Sequence, residues 1–248
     1  KRGMKLDFID VRRAYFHAKA RREVYVALPA EDREEGKCGR LLKAMYGTRD
    51  AAQNGEYAYV EALENMGLQR GRATLCAFYM EARNLRLVVH GDDFTVLAKE
   101  EDLDWFRRKI SEVFEVKFRG RIGPDENDDK HIRILNRVVQ WTKEGIEYEA
   151  DPRHAEILIK LGGDNKCSTI PGSKCDHDRE LSPELMYEEG TQYRAAAARC
   201  NFLAIDRPDI QYAAKEASKY MSNPRKCDWD MVYKIARYLR YCPRLKHI

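Results

Sequence analysis

The first 120 residues alternate between apolar runs of strand length and segments with helical periodicity. Apolar and β-branched residues between Leu6 and Val11 predict a strand that ends near Asp10, and EVYVALP predicts a short half-buried strand. The runs CAFYMEA and LRLVVHGDDFTVLA predict further strands joined by tight turns. Helical periodicity predicts helices over about residues 50–66 and over DLDWFRRKISEVFEV. We therefore expect a mixed α/β (α+β) region here.

The rest of the chain predicts a smaller hairpin and a helical tail. RGRIGPDENDDK has the composition of a polar loop, and HIRILNRVVQWTKEGIEYEA predicts a hairpin that turns near residues 143–145. An Asp-Pro pair at 151–152 predicts the start of a helix, and a polar linker follows over roughly 162–184. Three helices are then predicted over about 188–204, 208–222 and 228–241.

Composition narrows the classes of protein. Charged residues make up 35% and mean hydropathy is −0.68, and no apolar run approaches the roughly 18–20 residues that a membrane span needs. The start, KRGMKLDFIDV, has no apolar core of a signal peptide, so we expect none. The net charge of +4 permits a nucleic-acid partner without requiring one.

The cysteines indicate reduced thiols. There are seven, with wide and irregular spacings, which favours an intracellular protein over a secreted disulfide framework. Cys167, Cys175 and His177 come nearest to a zinc motif. Because no C-x-x-C pair exists there, a polar loop is the favoured interpretation and zinc the alternative.

Two adjacent aspartates are the first candidate chemistry. Asp92 and Asp93 lie between apolar runs, at a predicted turn, and like charges side by side are unfavourable unless a cation is near. Magnesium prefers oxygen ligands, so the pair indicates half of a metal site, with Asp10 as the candidate third acid. The alternative is ordinary turn chemistry, since aspartate favours turns.

A series of segments in chain order resembles the motifs of one polymerase family. DVRRAYF, from Asp10, resembles motif A, in which an aromatic residue follows the aspartate by five positions, and LKAMYGTRDAA, from Leu42, resembles motif B. His90-Gly91-Asp92-Asp93 resembles motif C, normally Tyr-x-Asp-Asp. HIRILNR, from His131, falls where the primer-grip hairpin lies, and RPDI and MSNP in the tail match the region before RNase H. The chain thus resembles the reverse transcriptase of copia-type LTR retrotransposons, part of a Pol polyprotein.

The resemblance implies a fold and a domain organisation. It implies a palm-type antiparallel sheet with flanking helices, then a small hairpin region and a helical C-terminal region. The implied boundaries are 1–120 for the palm with partial fingers, 121–165 for a primer-grip or thumb-like region, and 166–248 for a helical connection before an RNase H domain. The leading strands of the fingers would be missing, so the chain is expected to be a fragment of a polyprotein or a degenerate copy.

The resemblance also implies an activity, RNA-directed DNA polymerisation. Asp10, Asp92 and Asp93 would hold two Mg²⁺ ions, with Mn²⁺ as an alternative, and align a primer 3′ hydroxyl with the α-phosphate of a dNTP. Tyr15 would clash with a ribose 2′ hydroxyl and so select deoxynucleotides. The implied dNTP-binding residues are Val11, Ala14, Tyr15, Tyr46 and Gly47; the implied primer- and template-binding residues are Arg49, His90, Gly91, Arg133, Leu135 and Asn136.

The implied partners are an RNA template, a DNA primer, dNTPs, and the RNase H and integrase domains of the same polyprotein. The expected location is cytoplasmic, in a virus-like particle, or nuclear, without a membrane. Basic residues near the middle hairpin fit phosphate contacts, or equally an ordinary charged surface. They are Lys117, Arg119, Arg121, Arg133 and Arg137.

Departures from the family pattern leave alternatives open. His90 replaces the usual tyrosine of motif C, Ala52 replaces a proline, and Gly55 stands where the motif B helix has an aromatic residue. One alternative is a non-catalytic remnant that binds nucleic acid. Another is a metal-dependent phosphodiesterase, which is weakened because His90 is the sole candidate for a general base near the acids.

Overall fold

A computed structural model describes residues 3–163, 166–172 and 179–248, and the chain divides by contacts into two compact units. The first unit comprises Lys1–Lys130 and the second His131–Ile248. The three regions implied above are functional assignments, which this division does not test, so they stay predictions. Cys175 and His177 of the zinc hypothesis lie outside the described residues.

The first unit is built on a six-stranded antiparallel sheet with the order β4-β5-β6-β7-β1-β8. A separate two-stranded sheet joins β2 and β3. The elements are β1 (Lys5–Val11), α1 (Ala14–His17), β2 (Tyr25–Val26), β3 (Gly39–Arg40), α2 (Ala51–Asn65), β4 (Gln69–Arg70), β5 (Ala77–Met80), β6 (Leu85–His90), β7 (Asp93–Ala98), α3 (Glu100–Val113) and β8 (Val116–Ile122).

Alternating side chains on the strands explain how this sheet is covered. On β6, Leu85, Leu87 and Val89 are buried while the residues between them are more exposed, as expected for a strand with one face against a core. The same core cluster contains Leu63 of α2 and Phe106 of α3. Both helices therefore contribute their apolar faces to the core of the large sheet, and the predicted mixed α+β class is confirmed.

The second unit combines a three-stranded antiparallel sheet, of order β11-β10-β9, with four helices among its described residues. Its core is rich in alanine, with Ala197, Ala214 and Ala217 fully buried. The elements are β9 (His131–Ile134), β10 (Arg137–Trp141), β11 (Ile146–Ala150), α4 (Pro152–Leu161), α5 (Tyr187–Ala204), α6 (Gln211–Ser218) and α7 (Trp229–Tyr241).

Two expectations about local structure need correction. The predicted polar loop over RGRIGPDENDDK is wrong at its start, because residues up to Ile122 belong to β8. The hairpin predicted after residue 130 has its expected turn near Gly145, but a second turn at Leu135-Asn136 makes it three strands. Both turn residues have positive φ, 48° and 58°. Because neither residue is glycine, the sequence does not indicate a turn of this conformation. None of the helices in the described ranges has the length and apolar composition that crossing a membrane would require.

Candidate active site

The predicted acids come together at one end of the large sheet. Strands β1 and β7 are antiparallel neighbours, and Asp10 is the direct cross-strand partner of Asp93. Asp92 lies in the turn before β7, and its carbonyl accepts a hydrogen bond of 2.8 Å from the N–H of Val11. Residues far apart in sequence are thus placed on adjacent strands by the fold.

Asp92 lies in a two-residue turn between β6 and β7. His90 and Asp93 are paired, so Gly91 and Asp92 alone connect β6 to β7. Gly91 has a φ of +64°, the left-handed region that two-residue hairpins require and glycine adopts without strain. His90, Gly91 and Asp92 are exposed, whereas the side chain of Asp93 is 14% exposed.

One cation lies against these acids. Arg119 on β8 donates from Nη1 to Oδ1 of Asp93 at 2.8 Å, and its Nε lies 4.0 Å from Oδ2 of Asp10. Burial raises the pKa of the Asp93 carboxyl; Arg119 opposes this shift, while the charges of Asp92 and Asp10 add to it. The site is therefore a strand end with more negative than positive charge among these four side chains.

The donor chemistry fits a hard divalent cation, since carboxylate oxygens are the ligands that Mg²⁺ and Mn²⁺ prefer. The side chains are nevertheless not arranged as the ligands of a metal ion. Across residues 3–163, 166–172 and 179–248, no group of three or more His, Cys, Asp and Glu side chains is gathered closely enough to hold an ion. At this strand end the guanidinium of Arg119 lies against two of the acids instead.

An aromatic pair joins the segment after β1 to the segment before α2. Tyr15 of α1 packs against Tyr46, with ring centroids 4.4 Å apart. Tyr15 also lines a cleft of about 200 Å³ together with Val11, Ala14 and Gly91, so residues from the segments that resemble motifs A and C border the same space.

Gly55 of α2 lines the same cleft and explains how closely Tyr15 approaches the helix. A Cβ atom at Gly55 would lie 2.9 Å from Cδ1 of Tyr15, closer than real contacts allow. The aromatic residue expected at this position of motif B could therefore not be accommodated with Tyr15 where it is. The departure noted in the sequence coincides with a direct contact to another predicted site residue.

The remaining predicted residues of the first unit lie near the start of α2. Gly47 has a φ of +89°, Tyr46 is 46% exposed, and Arg49 is exposed. Asp50 directly precedes α2, and its carboxylate binds the side chains of Arg22 and Asn54 rather than a helix N–H group. Arg49 and Tyr46 thus present polar groups to solvent.

The predicted primer-grip residues belong to the second unit. Leu135 and Asn136 form the tight turn between β9 and β10, and the carbonyl of Asn136 accepts from the N–H of Asp151. Arg133 lies on β9 with its Nε 3.1 Å from Oδ2 of buried Asp151, while half of its side chain stays exposed. Their roles toward a primer or template stay predictions.

Sequence reasoning missed the part that Arg119 takes. The sequence places Arg119 among basic residues near a predicted hairpin, whereas the structure brings it to the acids and brings Arg121 to Asp7, Glu100 and Asp104. No local signal could have found this, because it depends on β8 pairing with β1.

A larger cleft of about 860 Å³, bordered by Tyr57 and Trp105, contains none of the predicted site residues.

Comparison with known proteins finds sequence relatives among the polyproteins of transposons. No protein-family model matches the chain. It is 27% identical, over 95% of its length, to the retrovirus-related Pol polyprotein from transposon RE2 of Arabidopsis thaliana. It is 22% identical to the one from transposon TNT 1-94 of Nicotiana tabacum over 96% of its length, and 20% identical to the truncated transposon Ty1-A Gag-Pol polyprotein of Saccharomyces cerevisiae over 93%. The homologues of this chain are Pol polyproteins of copia-type retrotransposons.

The copia-type Pol polyproteins are much longer than the region they share with this chain. The chain spans 16% of the Arabidopsis protein, 18% of the tobacco protein and 20% of the truncated yeast protein. The likeness extends over both structural units, since at least 93% of the chain is covered in each comparison. The predicted resemblance is confirmed at the level of a Pol-derived region.

Proposed function

We propose that this chain is the reverse-transcriptase core of a retrotransposon Pol polyprotein, with a palm built on the large antiparallel sheet of the first unit. The observation that carries the proposal is the cross-strand pairing of Asp10 with Asp93, next to Asp92 in the connecting turn. Antiparallel strands bring together the acids of two motifs that the sequence separates widely. The relationship to copia-type Pol polyproteins supports the same assignment.

The residues of the site would then have separate roles. Asp10, Asp92 and Asp93 would hold divalent ions, which when bound supply charge neutralisation at the phosphates and activate the primer hydroxyl. Tyr15, beside the cleft lined by Val11 and Gly91, would limit the space for the sugar of the incoming nucleotide. The hydrogen bond from Val11 N–H to the Asp92 carbonyl fixes the turn relative to β1.

The test is primer extension by the chain within its Pol polyprotein, on a labelled DNA primer annealed to RNA, with dNTPs and Mg²⁺ or Mn²⁺. We expect incorporation, and a loss of at least about a hundredfold in rate for D10N and D93N, since even outer-shell partners of metal ligands commonly cost about 10–100-fold. E101Q is the matched control, because Glu101 is an exposed acid on α3 of the same unit, and it should retain the rate.

Three results would contradict the proposal. Full activity in D10N or D93N would disconnect the acids from the reaction. Salt-sensitive binding of the primer–template without incorporation would support the non-catalytic remnant instead, a candidate that the ion pair of Arg119 with Asp93 favours. Cleavage of the labelled strand in the absence of dNTPs would support a phosphodiesterase.

A further inference from the structure

A β-bulge on β8 aims one side chain at the acidic strand end. Along β1, Phe8 pairs with Gly120 while the next residue, Ile9, pairs with Phe118. Arg119 is therefore the extra residue, without a partner on β1. Bulges of this kind bend a strand and redirect the side chain that they carry, and they are common beside active sites.

The redirected guanidinium lies against both acids of the cross-strand pair. Its Nη1 is 2.8 Å from Oδ1 of Asp93, and its Nε is 4.0 Å from Oδ2 of Asp10. The side chain of Arg119 is 37% exposed, so it has a route into solvent. A guanidinium keeps its charge at every physiological pH, so it can leave the acids by rotating away but not by losing a proton.

We propose that Arg119 is a built-in counter-ion of the Asp10–Asp93 pair and that a divalent cation binds there only by displacing it. Two carboxylates directly opposite each other on neighbouring strands repel, and one positive group near both relieves that repulsion. A hard cation bound to the same oxygens would lie within a few ångströms of the guanidinium and be repelled by it. Arg119 and the cation therefore compete for the same oxygens, which accounts for acids that are gathered but not arranged as a metal cage.

This inference rests on the proposed function for the identity of the cation, but its test does not need polymerase activity. The probe is Mn²⁺, titrated into the whole chain while the electron paramagnetic resonance signal of the free ion is followed. We expect R119Q to bind Mn²⁺ at least about tenfold more tightly than the natural chain, and R119K, which keeps the charge, to remain close to it. The double variant R119Q/D93N should lose the gain.

The matched control is K117Q. Lys117 lies on the same strand and is the cross-strand partner of Asp10, so this variant removes the same charge from the same region. An equal gain in K117Q would mean that general electrostatics, rather than the guanidinium of Arg119, controls access. Unchanged or weaker Mn²⁺ binding in R119Q would overturn the proposal.

A second measurement keeps the inference testable if R119Q folds less well. Without metal, R119Q should melt at a lower temperature than the natural chain, because the two carboxylates lose their counter-ion. Added Mg²⁺ should then raise the melting temperature of R119Q more than that of the natural chain. An identical response to Mg²⁺ in both proteins would overturn the proposal, whatever the outcome of the primer-extension test.

Discussion

Two buried aspartates of the second unit have more cationic partners than the acids at the strand end of the first unit, and this difference separates structural acids from candidate functional ones. In the second unit, fully buried Asp151 accepts from the N–H of Arg153 and ion pairs with the side chains of Arg133 and Arg153. Fully buried Asp228 is bound by both Nε and Nη2 of Arg179, each at 3.0 Å. Each acid there has enough donors to hold its place in the fold.

The first unit contains both situations on a single strand. Asp7 of β1 is fully buried and receives guanidinium groups from Arg107 and Arg121, so its charge is matched within the fold. Three residues later, at the end of the strand, Asp10 has the guanidinium of Arg119 at 4.0 Å, and the same guanidinium binds Asp93 at 2.8 Å. The cations around each acid therefore distinguish the structural Asp7 from the candidate functional acids Asp10 and Asp93.

The cores of the two units differ as well. Large side chains fill the first, among them Phe8, Phe94 and Phe106, whereas small ones fill much of the second, among them Ala197 and Ala214. Small side chains let helices pack closely but bury less apolar surface per residue, so we expect the stability of the second unit to depend more on polar groups that fix its chain ends. The substitutions below test that contrast.

The largest expected effect is at Arg207, which is 2% exposed in the second unit. It donates to Asp209 at 2.7 Å and to the carbonyl of Cys242 at 2.8 Å, so it ties the end of α7 to the segment before α6. R207M leaves the partly buried Asp209 without its cation and should lower the free energy of unfolding by about 3–5 kcal/mol. Urea unfolding followed by tryptophan fluorescence, to which Trp141 and Trp229 of the second unit contribute, measures it.

The control for R207M is R12M in the first unit. Arg12 and Glu115 form an exposed ion pair, which contributes little to stability in water. R12M should leave the urea midpoint nearly unchanged. A loss in R207M no greater than in R12M would show that the second unit does not depend on its buried ion pair.

A smaller effect on stability is expected when one helical glycine of each unit is replaced by alanine. At Gly190 of α5 a Cβ atom would make ordinary contacts of 3.5 Å, so G190A should stabilise the chain by about 0.5–1 kcal/mol through helix propensity. At Gly55 of α2 the same atom would lie 2.9 Å from Tyr15, so G55A should gain less or lose stability. Thermal unfolding of both variants checks the difference.

The double variant G55A/Y15A identifies the cause of that difference. If the ring of Tyr15 is what opposes the methyl group, G55A should recover the gain of about 0.5–1 kcal/mol when measured against Y15A alone. Equal stabilisation by G55A and G190A in the natural background would instead mean that Tyr15 moves away without cost, and that Gly55 does not fix its position.

Periodicity predicted the elements whose residues interact locally. The strand around Phe8, the hairpin after Leu85 and the helix around Phe106 lie close to where their apolar patterns place them, and Asp92 lies in the predicted turn. The features that the sequence did not predict depend on partners distant in sequence or on an unusual turn conformation. The bulge at Arg119 arises from the register of β8 on β1. The turn at Leu135-Asn136 has positive φ at both residues but no glycine, which is the residue that usually indicates such a turn.

The smallest effect expected is a pH dependence confined to the second unit. His154 of α4 lies against α5, with Nδ1 3.3 Å from Nη1 of Arg199 and its ring 4.8 Å from that of Phe202. Burial lowers the pKa of His154 below its ordinary value of 6.5, and Arg199 lowers it further, while Asp151 acts in the opposite direction. As pH falls below 6.5, the unfolded chain takes up this proton before the folded chain does, so stability present above pH 6.5 is lost.

Urea unfolding at about pH 7.5 and about pH 5.5, on either side of the ordinary histidine pKa, should show a smaller loss of stability in H154Q than in the natural chain. This window is distinct from that of Asp151 and Asp209, whose lowered pKa values place their loss of stability below about pH 4. An equal loss in both proteins would assign the pH dependence to groups other than His154. It would then follow that the contact of α4 with α5 tolerates a charged imidazole beside Arg199.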